Sequence, residues 1–318
     1  MALPSSKKAV YAALVGNGLI AISKFAAAGY TGSSAMLSEA IHSVVDTGNQ
    51  VLILHGMRRA QRPADRQHPF GYGMELYFWT FVVAILIFAV GAGVSIYEGV
   101  IKLADPHPIK SPYVNYVVLA LAAVFEAGAW WIAYTEFRRT NNDLPLFTAV
   151  RQSKDPTIFT VLFEDSAALL GLGAAFAGIA LGQVLGIPEL DGVASIVIGL
   201  ILGGTAILLA FESKGLLIGE GAGIEVVEGI EAIVSRKQGI DRTNELLTMH
   251  LGPQDVLLTL SLDFDDRISA GDVERIVSEL ENDIKSEFPT ITRIFIEVQS
   301  WADHLRRKQA IEEPGPAG

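Results

Sequence analysis

Residues 37–56, LSEAIHSVVDTGNQVLILHG, place His42 and Asp46 four positions apart inside a run that is otherwise mostly apolar. Ionisable side chains within a lipid-spanning helix are costly and persist where they are used. At i and i+4 they project from one helical face, one turn apart. An imidazole nitrogen and a carboxylate oxygen placed in this way form half of a tetrahedral site for a borderline dication. The alternative is a structural pair satisfied by a neighbouring helix.

Working outward, the rest of the chain has the composition of a polytopic membrane protein. Half of its 318 residues are apolar, 31 are glycine, and the mean hydropathy is +0.38. Cysteine is absent, which excludes disulfides and thiolate ligation, so any metal is held by nitrogen and oxygen. The basic flank Lys7–Lys8 precedes an apolar stretch of about 20 residues, the length of a retained first span rather than of a signal peptide.

Six apolar segments follow the same measure, at roughly 9–29, 35–56, 76–100, 113–135, 158–182 and 191–212. Lys7, Lys8, Arg58, Arg59, Arg62, Arg66, Arg138, Arg139, Arg151 and Lys154 fall on one side of such a bundle, and Lys102 and Lys110 on the other. The positive-inside rule then puts both termini in the cytoplasm. Residues 1–214 hold 14 Lys/Arg against 15 Asp/Glu, and 215–318 hold 10 against 20, so a near-neutral membrane lobe precedes an acidic one. No basic face exists to meet nucleic-acid phosphates.

Beyond residue 214 the pattern is that of a small soluble domain. Ile224, Val227, Ile230 and Ile233 have helical spacing. NELLTMHL and DVLLTLSLDF read as strands joined by a Gly252–Pro253 turn, Ser269 opens a second helix that ends before Pro289, and ITRIFIEV reads as a last strand. The predicted architecture is six transmembrane helices, residues 1–214, followed by a cytoplasmic α+β domain of order αββαβ, residues 215–301. Residues 302–318 are expected to be a disordered tail.

Further ionisable residues lie in the spans. Glu164 and Asp165 are adjacent acids in the fifth, about 100° apart on a helix, so at most one faces His42 and Asp46 squarely. If one does, three ligands meet between two helices and leave a position open for exchange. Lys24 is the cation available to pair with them instead. Glu126, in the fourth span, suits a proton relay or a place on the ion path, or else a protonated acid bonded to a neighbouring helix. Glu75 reads as a helix-start charge, and Tyr77, Trp79, Trp130, Trp131 and Tyr134 as interfacial anchors.

Together, SEAIHSVVD in the second span, HPFGYGMELYFW after it, EDSAALLGL in the fifth, KGLLIGEGA after the sixth and the six-plus-αββαβ plan resemble the cation diffusion facilitator family. The likeness covers about residues 9–300 and is greatest to its branch of proton-linked zinc exchangers. There are departures. Glu39 stands where the family's second-span block has Asp, and the fifth-span His and Asp align with Glu164 and Ala168. The resemblance implies His42, Asp46 and Glu164, or Asp165 in its place, as the transport-site ligands. It also implies Asn17 as a polar neighbour of that site or an interhelical hydrogen bond. A second, weak metal site at Asp65 and His68 is implied, with Tyr72 in the third position. In the soluble domain His250 and Glu297 remain near metal-binding positions, while the apolar Leu260, Leu262 and Phe295 stand where the resemblance implies further donors, so dimerisation is expected to rest on packing.

The expected function is efflux of a divalent cation, zinc first, by antiport with protons, in an integral membrane homodimer with no fixed cofactor. A bacterial inner membrane is the expected setting. The substrates are the metal ion and protons; the lipid bilayer is the surroundings. Manganese, iron(II) or cobalt export is the nearest alternative, since Glu164 in place of His favours harder ions. Two other classes are an intramembrane metallohydrolase, for which no H-E-x-x-H or G-x-S-x-G pattern is present, and a transport-dead scaffold.

Overall fold

The computed structural model describes residues 4–140 and 155–312. Arg151, Lys154 and residues 313–318 lie outside the described residues. The chain divides into two compact units: Met1–Gln61 with Glu75–Lys214, and Arg62–Met74 with Gly215–Gly318. The segment 62–74, which the sequence reading leaves with the membrane domain, therefore belongs with the second unit.

The first unit is helical. Helix α1 runs Pro4–Thr31 and α2 Ser34–Ala60. The third span comprises α3 (Glu75–Leu86), a π-helical stretch Ile87–Ala92 and α4 (Gly93–Ala104). Then come α5 (Pro112–Thr140), α6 (Pro156–Leu185) and α7 (Glu189–Leu217). Each of the six apolar segments read from the sequence lies within one of these spans. Four stretches, Glu75–Ala104, Pro112–Arg138, Phe159–Leu185 and Glu189–Leu217, are long and apolar enough to cross a bilayer. Helices α1 and α2 have 28 and 27 residues, sufficient length for the same span.

Local chemistry sets the helix ends. Ser33 caps α2 by accepting from the Met36 N–H at 3.1 Å. Asp155 caps α6 just before Pro156, and Gly186, at φ +69, closes it in a left-handed turn. Helix α2 is the hub, packing on α1, α3, α4 and α6. Glycines bring α4 and α7 close together: a Cβ on Gly99 would meet Gly192 O and Ile196, and one on Gly199 would meet Ala92 O and Ile96.

At one end of this bundle Asp191, the third residue of α7, is 1% exposed and takes over the start of α2. It accepts from Ser33 Oγ at 2.6 Å, from the Ser34 N–H at 2.7 Å and Oγ at 3.2 Å, and from the Ala35 N–H at 3.4 Å. Lys102 completes the knot, 3.7 Å from Asp191 and donating to Gly32 O at 2.9 Å. A carboxylate at a helix N-terminus satisfies N–H groups that have no intrahelical partner.

The second unit is an αββαβ domain with a further helix. Helix α8 (Ile224–Ser235) leads to β1 (Ile240–Gly252) and β2 (Asp255–Phe264), then α9 (Ala270–Glu287) and β3 (Ile291–Val298). The sheet order is β1-β2-β3, antiparallel then parallel. Alternate residues Val256, Leu258, Leu260 and Leu262 of β2 face Ile230, Ile233 and Val234 of α8 and Ile276, Leu280 and Ile284 of α9 in one core. The Ser269–Asp272 capping box opens α9.

The expected disordered tail is instead helix α10 over Trp301–Glu312. Its start is fixed by the Ser300–Asp303 cap, by the Trp301 N–H bond to Asp263 and by Arg242 stacked 4.5 Å over the Trp301 ring. Arg307 then ties it to Glu297 at 3.0 Å. Polar composition suggested a loose tail, but these contacts with the sheet give the helix a surface to form on.

Candidate functional site

Ser34, Ser38, His42 and Asp46 recur every four residues and line one face of α2. Ser38 meets Ser195 of α7 at 2.5 Å, and Ser195 donates to Ser95 O at 2.8 Å. Below this seam His42 is 1% exposed and its Nδ1 lies 3.3 Å from Asp46 Oδ1. This is a close approach rather than a hydrogen bond. Neither ring nitrogen of His42, nor Asp46 Oδ1, has a hydrogen-bond partner among the described residues.

Helix α6 brings the acids. Glu164 is buried and accepts from Asn49 Nδ2 of α2 at 2.8 Å. Asn49 Oδ1 and Asp165 Oδ2 are buried and again without partners. The charges of Glu164, Glu126, Asp165 and Lys24 all bear on Asp46, so the predicted residues of α2, α5 and α6 share one electrostatic neighbourhood. They are gathered without being closed on a point: among the described residues, no three His, Asp or Glu side chains stand close enough to hold one metal ion. Each unpartnered buried polar atom costs about 1–3 kcal/mol. Five of them on His42, Asp46, Asn49 and Asp165 form a set of nitrogen and oxygen donors of the kind a borderline or hard dication takes.

Two residues that sequence reasoning undervalued belong to this region. Asn49 was passed over because an amide carries no charge, yet it lies one turn beyond Asp46 and holds Glu164. Lys24 pairs with Glu39 at 3.0 Å, both fully buried, and not with Glu164 or Asp165. The signal was present in the sequence: Lys24 lies seven residues before the end of α1 and Glu39 five after the start of α2, hence at similar depth. Asn17 is half-buried on α1. One residue before it, Gly16 lets the Phe125 ring of α5 approach so closely that a Cβ would clash. Glu126 is 7% exposed and within the reach of Lys24 and Glu39.

Among the expected anchors, Trp130 donates to Ser166 Oγ at 2.9 Å, and Tyr77 is fully buried rather than interfacial. Glu75 receives Arg59 through Nε at 3.0 Å and Nη2 at 2.6 Å, and Trp79 Nε1 at 3.0 Å, a fuller role than a helix-start charge.

In the second unit Asp65 and His68 do adjoin, with Nδ1 3.6 Å from Oδ1. Tyr72 donates to the other carboxylate oxygen at 2.7 Å and its ring lies 4.2 Å from that of His68. This hydroxyl, with the His68 and Gln67 N–H groups, holds the Asp65 carboxyl below the usual carboxylate range. His250 and Glu297 do not share a site. His250 pairs with Val256 at one end of β2, and Glu297 aligns with Ser261, roughly 16 Å further along at the usual strand rise.

Residues 10–218 match the family described as the cation efflux transmembrane domain, and residues 224–300 match the cytoplasmic domain of cation efflux proteins. The chain belongs to the cation efflux, or cation diffusion facilitator, family, whose members are integral membrane transporters; this sets aside the intramembrane hydrolase. Among its relatives is Proton-coupled zinc antiporter SLC30A9, mitochondrial, of Xenopus laevis, 33% identical over 82% of this chain and 47% of the relative. The protein of the same name from Homo sapiens is 30% identical over 96% of this chain and 50% of its own length. Metal tolerance protein C4 of Arabidopsis thaliana is 28% identical over 83% and 58%. The chain thus spans about half the length of the curated relatives it matches.

Proposed function

We infer that this protein exports a divalent cation, zinc first, in exchange for protons, using His42, Asp46, Glu164 and Asp165 as the transport ligands. The observation that carries this reading is the set of buried, unpartnered donors between α2 and α6. The zinc and proton assignments draw support from the names of the relatives. Imidazole ordinarily titrates at about pH 6.5, so an imidazole and a group of carboxylates trade a metal for protons across the physiological range. Metal binding requires deprotonated donors, and proton competition follows from that requirement. The ligands lie on two helices that do not yet converge, which suits an ion held in passing. Glu126, between Asp165 and Lys24 in charge terms, serves as a proton stop beside the ion, and Asn17 as a supporting polar residue.

Manganese, iron(II) or cobalt remains the second reading, favoured by the oxygen-rich donor set. The pair Asp65–His68 is a subsidiary weak site, since two ligands on an exposed loop hold a dication loosely. Working as a homodimer is supported by a row across the cytoplasmic sheet in direct register, exposed Leu247 and Phe295 flanking half-buried Thr259. The membrane is one that carries a proton gradient: a bacterial inner membrane on the sequence reading, with both termini on its basic, cytoplasmic side.

The test is zinc flux in proteoliposomes under an imposed pH gradient. Wild type accumulates zinc only with the gradient, and His42→Ala and Asp46→Ala each lose most of that uptake. Full gradient-driven uptake by His42→Ala rejects the site. Near-zero metal content in both wild type and the His42→Ala/Asp46→Ala variant identifies a scaffold instead.

A further inference from the structure

Lys24 is fully buried in the last third of α1, with Nζ 3.0 Å from Glu39 Oε2 and 2.8 Å from Ser43 Oγ. Glu39 is equally buried, and its second oxygen, Oε1, has no hydrogen-bond partner among the described residues. That oxygen is lodged against Gly171 of α6, where a Cβ would collide with it. Gly171 lies two turns beyond Glu164 on the same face of α6, and Glu39 lies seven residues before Asp46 on the same face of α2. A fifth carboxylate therefore reaches the seam between the two helices that carry His42, Asp46 and Glu164.

An ion pair sealed from water is a poor device for stability alone, because well-packed apolar residues of similar volume serve as well or better. Its position suggests another use. The charge of Lys24 bears on His42, Asp46 and Glu126 as well as on Glu39. Lys102, the other buried cation of the described transmembrane unit, is engaged by Asp191. A free carboxylate at Glu39 would add a full negative charge to the donors that hold the dication, and an exporter must let its ion go.

We propose that Lys24 withholds Glu39 from the transported dication, keeping the site weak enough to release it. This rests on the reading of His42, Asp46 and the α6 acids as the ion site. Lys24 never touches the ion; it is a positioning residue acting through Glu39. The pair together contributes no net charge, so the two single neutralisations act in opposite senses. Lys24→Met frees a negative charge and tightens dication binding. Glu39→Gln strands a positive charge and loosens it. The double substitution restores neutrality.

The experiment is zinc binding by calorimetry on the purified full chain, with zinc flux in proteoliposomes. Lys24→Met is expected to bind zinc at least about tenfold tighter, with KM and kcat both lowered because release slows, and Glu39→Gln at least about tenfold weaker. Lys24→Met/Glu39→Gln is expected within about threefold of wild type. A pair that is merely structural weakens binding in both single variants, and that pattern overturns the proposal, as does wild-type affinity in both. If Lys24→Met does not fold, Glu39→Gln decides, since unchanged or tighter binding there overturns it equally. His42→Ala is the control for the underlying site. Zinc binding that survives His42→Ala rejects the ion-site reading, whereas binding lost in His42→Ala but unchanged in both pair variants rejects only the role of Lys24.

Discussion

Asn49 shows how an uncharged side chain sets the behaviour of a charged one. Its amide donates to Glu164 and leaves its own oxygen buried and without a hydrogen-bond partner among the described residues. Groups that orient a metal ligand in this way typically matter by about 10- to 100-fold in affinity. Asn49→Leu is expected to weaken zinc binding to that degree while the protein stays monodisperse; unchanged binding by calorimetry would detach Asn49 from the site. Asp65 offers a pH test outside the membrane. Its carboxyl is held low by Tyr72, so the contribution of that interaction is complete above the ordinary carboxylate range and disappears as pH falls through the lower, folded value. Tyr72→Phe is expected to move the Asp65 titration up toward the usual range, read as a carboxyl carbon shift by NMR. A titration unmoved by the substitution would remove Tyr72 as the cause.

At the scale of elements, a glycine on α6 makes room for a carboxylate from α2. Gly171→Ala is expected to destabilise the bundle by about 1–3 kcal/mol, as overpacking does, whereas Gly173→Ala, with open space around it, is expected to change little. Thermal unfolding in detergent compares them, and equal effects would mean that the fit of Glu39 is not tight. The helices were legible because lipid demands about 20 apolar residues and little else interrupts them. The strands were legible because β2 sends Val256, Leu258, Leu260 and Leu262, every second residue, into the core. Helix α10 was not, since its start is supported by Arg242 and Asp263, residues remote in sequence. The π-helical turn at Ile87–Ala92 likewise has no signature in a uniformly apolar stretch. At the candidate site, type and spacing singled out His42, Asp46, Glu164 and Asp165 as the residues to propose. Which acid pairs with which cation is fixed only when α1 lies beside α2, and so the partner of Lys24 was not read from the chain.

The whole molecule joins a nearly neutral membrane unit to an acidic domain, and the proposed association of that domain falls on its open face. Leu247 and Phe295 are each 55% exposed in one row across the sheet, next to a row formed by Glu245, Ser261 and Glu297. Leu247→Glu/Phe295→Glu is expected to convert a dimer to a monomer in detergent, measured by light scattering, with the domain still folded because neither residue enters its core. A dimer that persists would locate the contact elsewhere. The buried junction of Asp191 with the first residues of α2 has a mechanical consequence. A helix anchored at one tip moves least there and most at its far end. At 1.5 Å per residue His42 lies about 12 Å from that fulcrum and Arg58 about 36 Å, so such a swing displaces His42 roughly one third as far as Arg58.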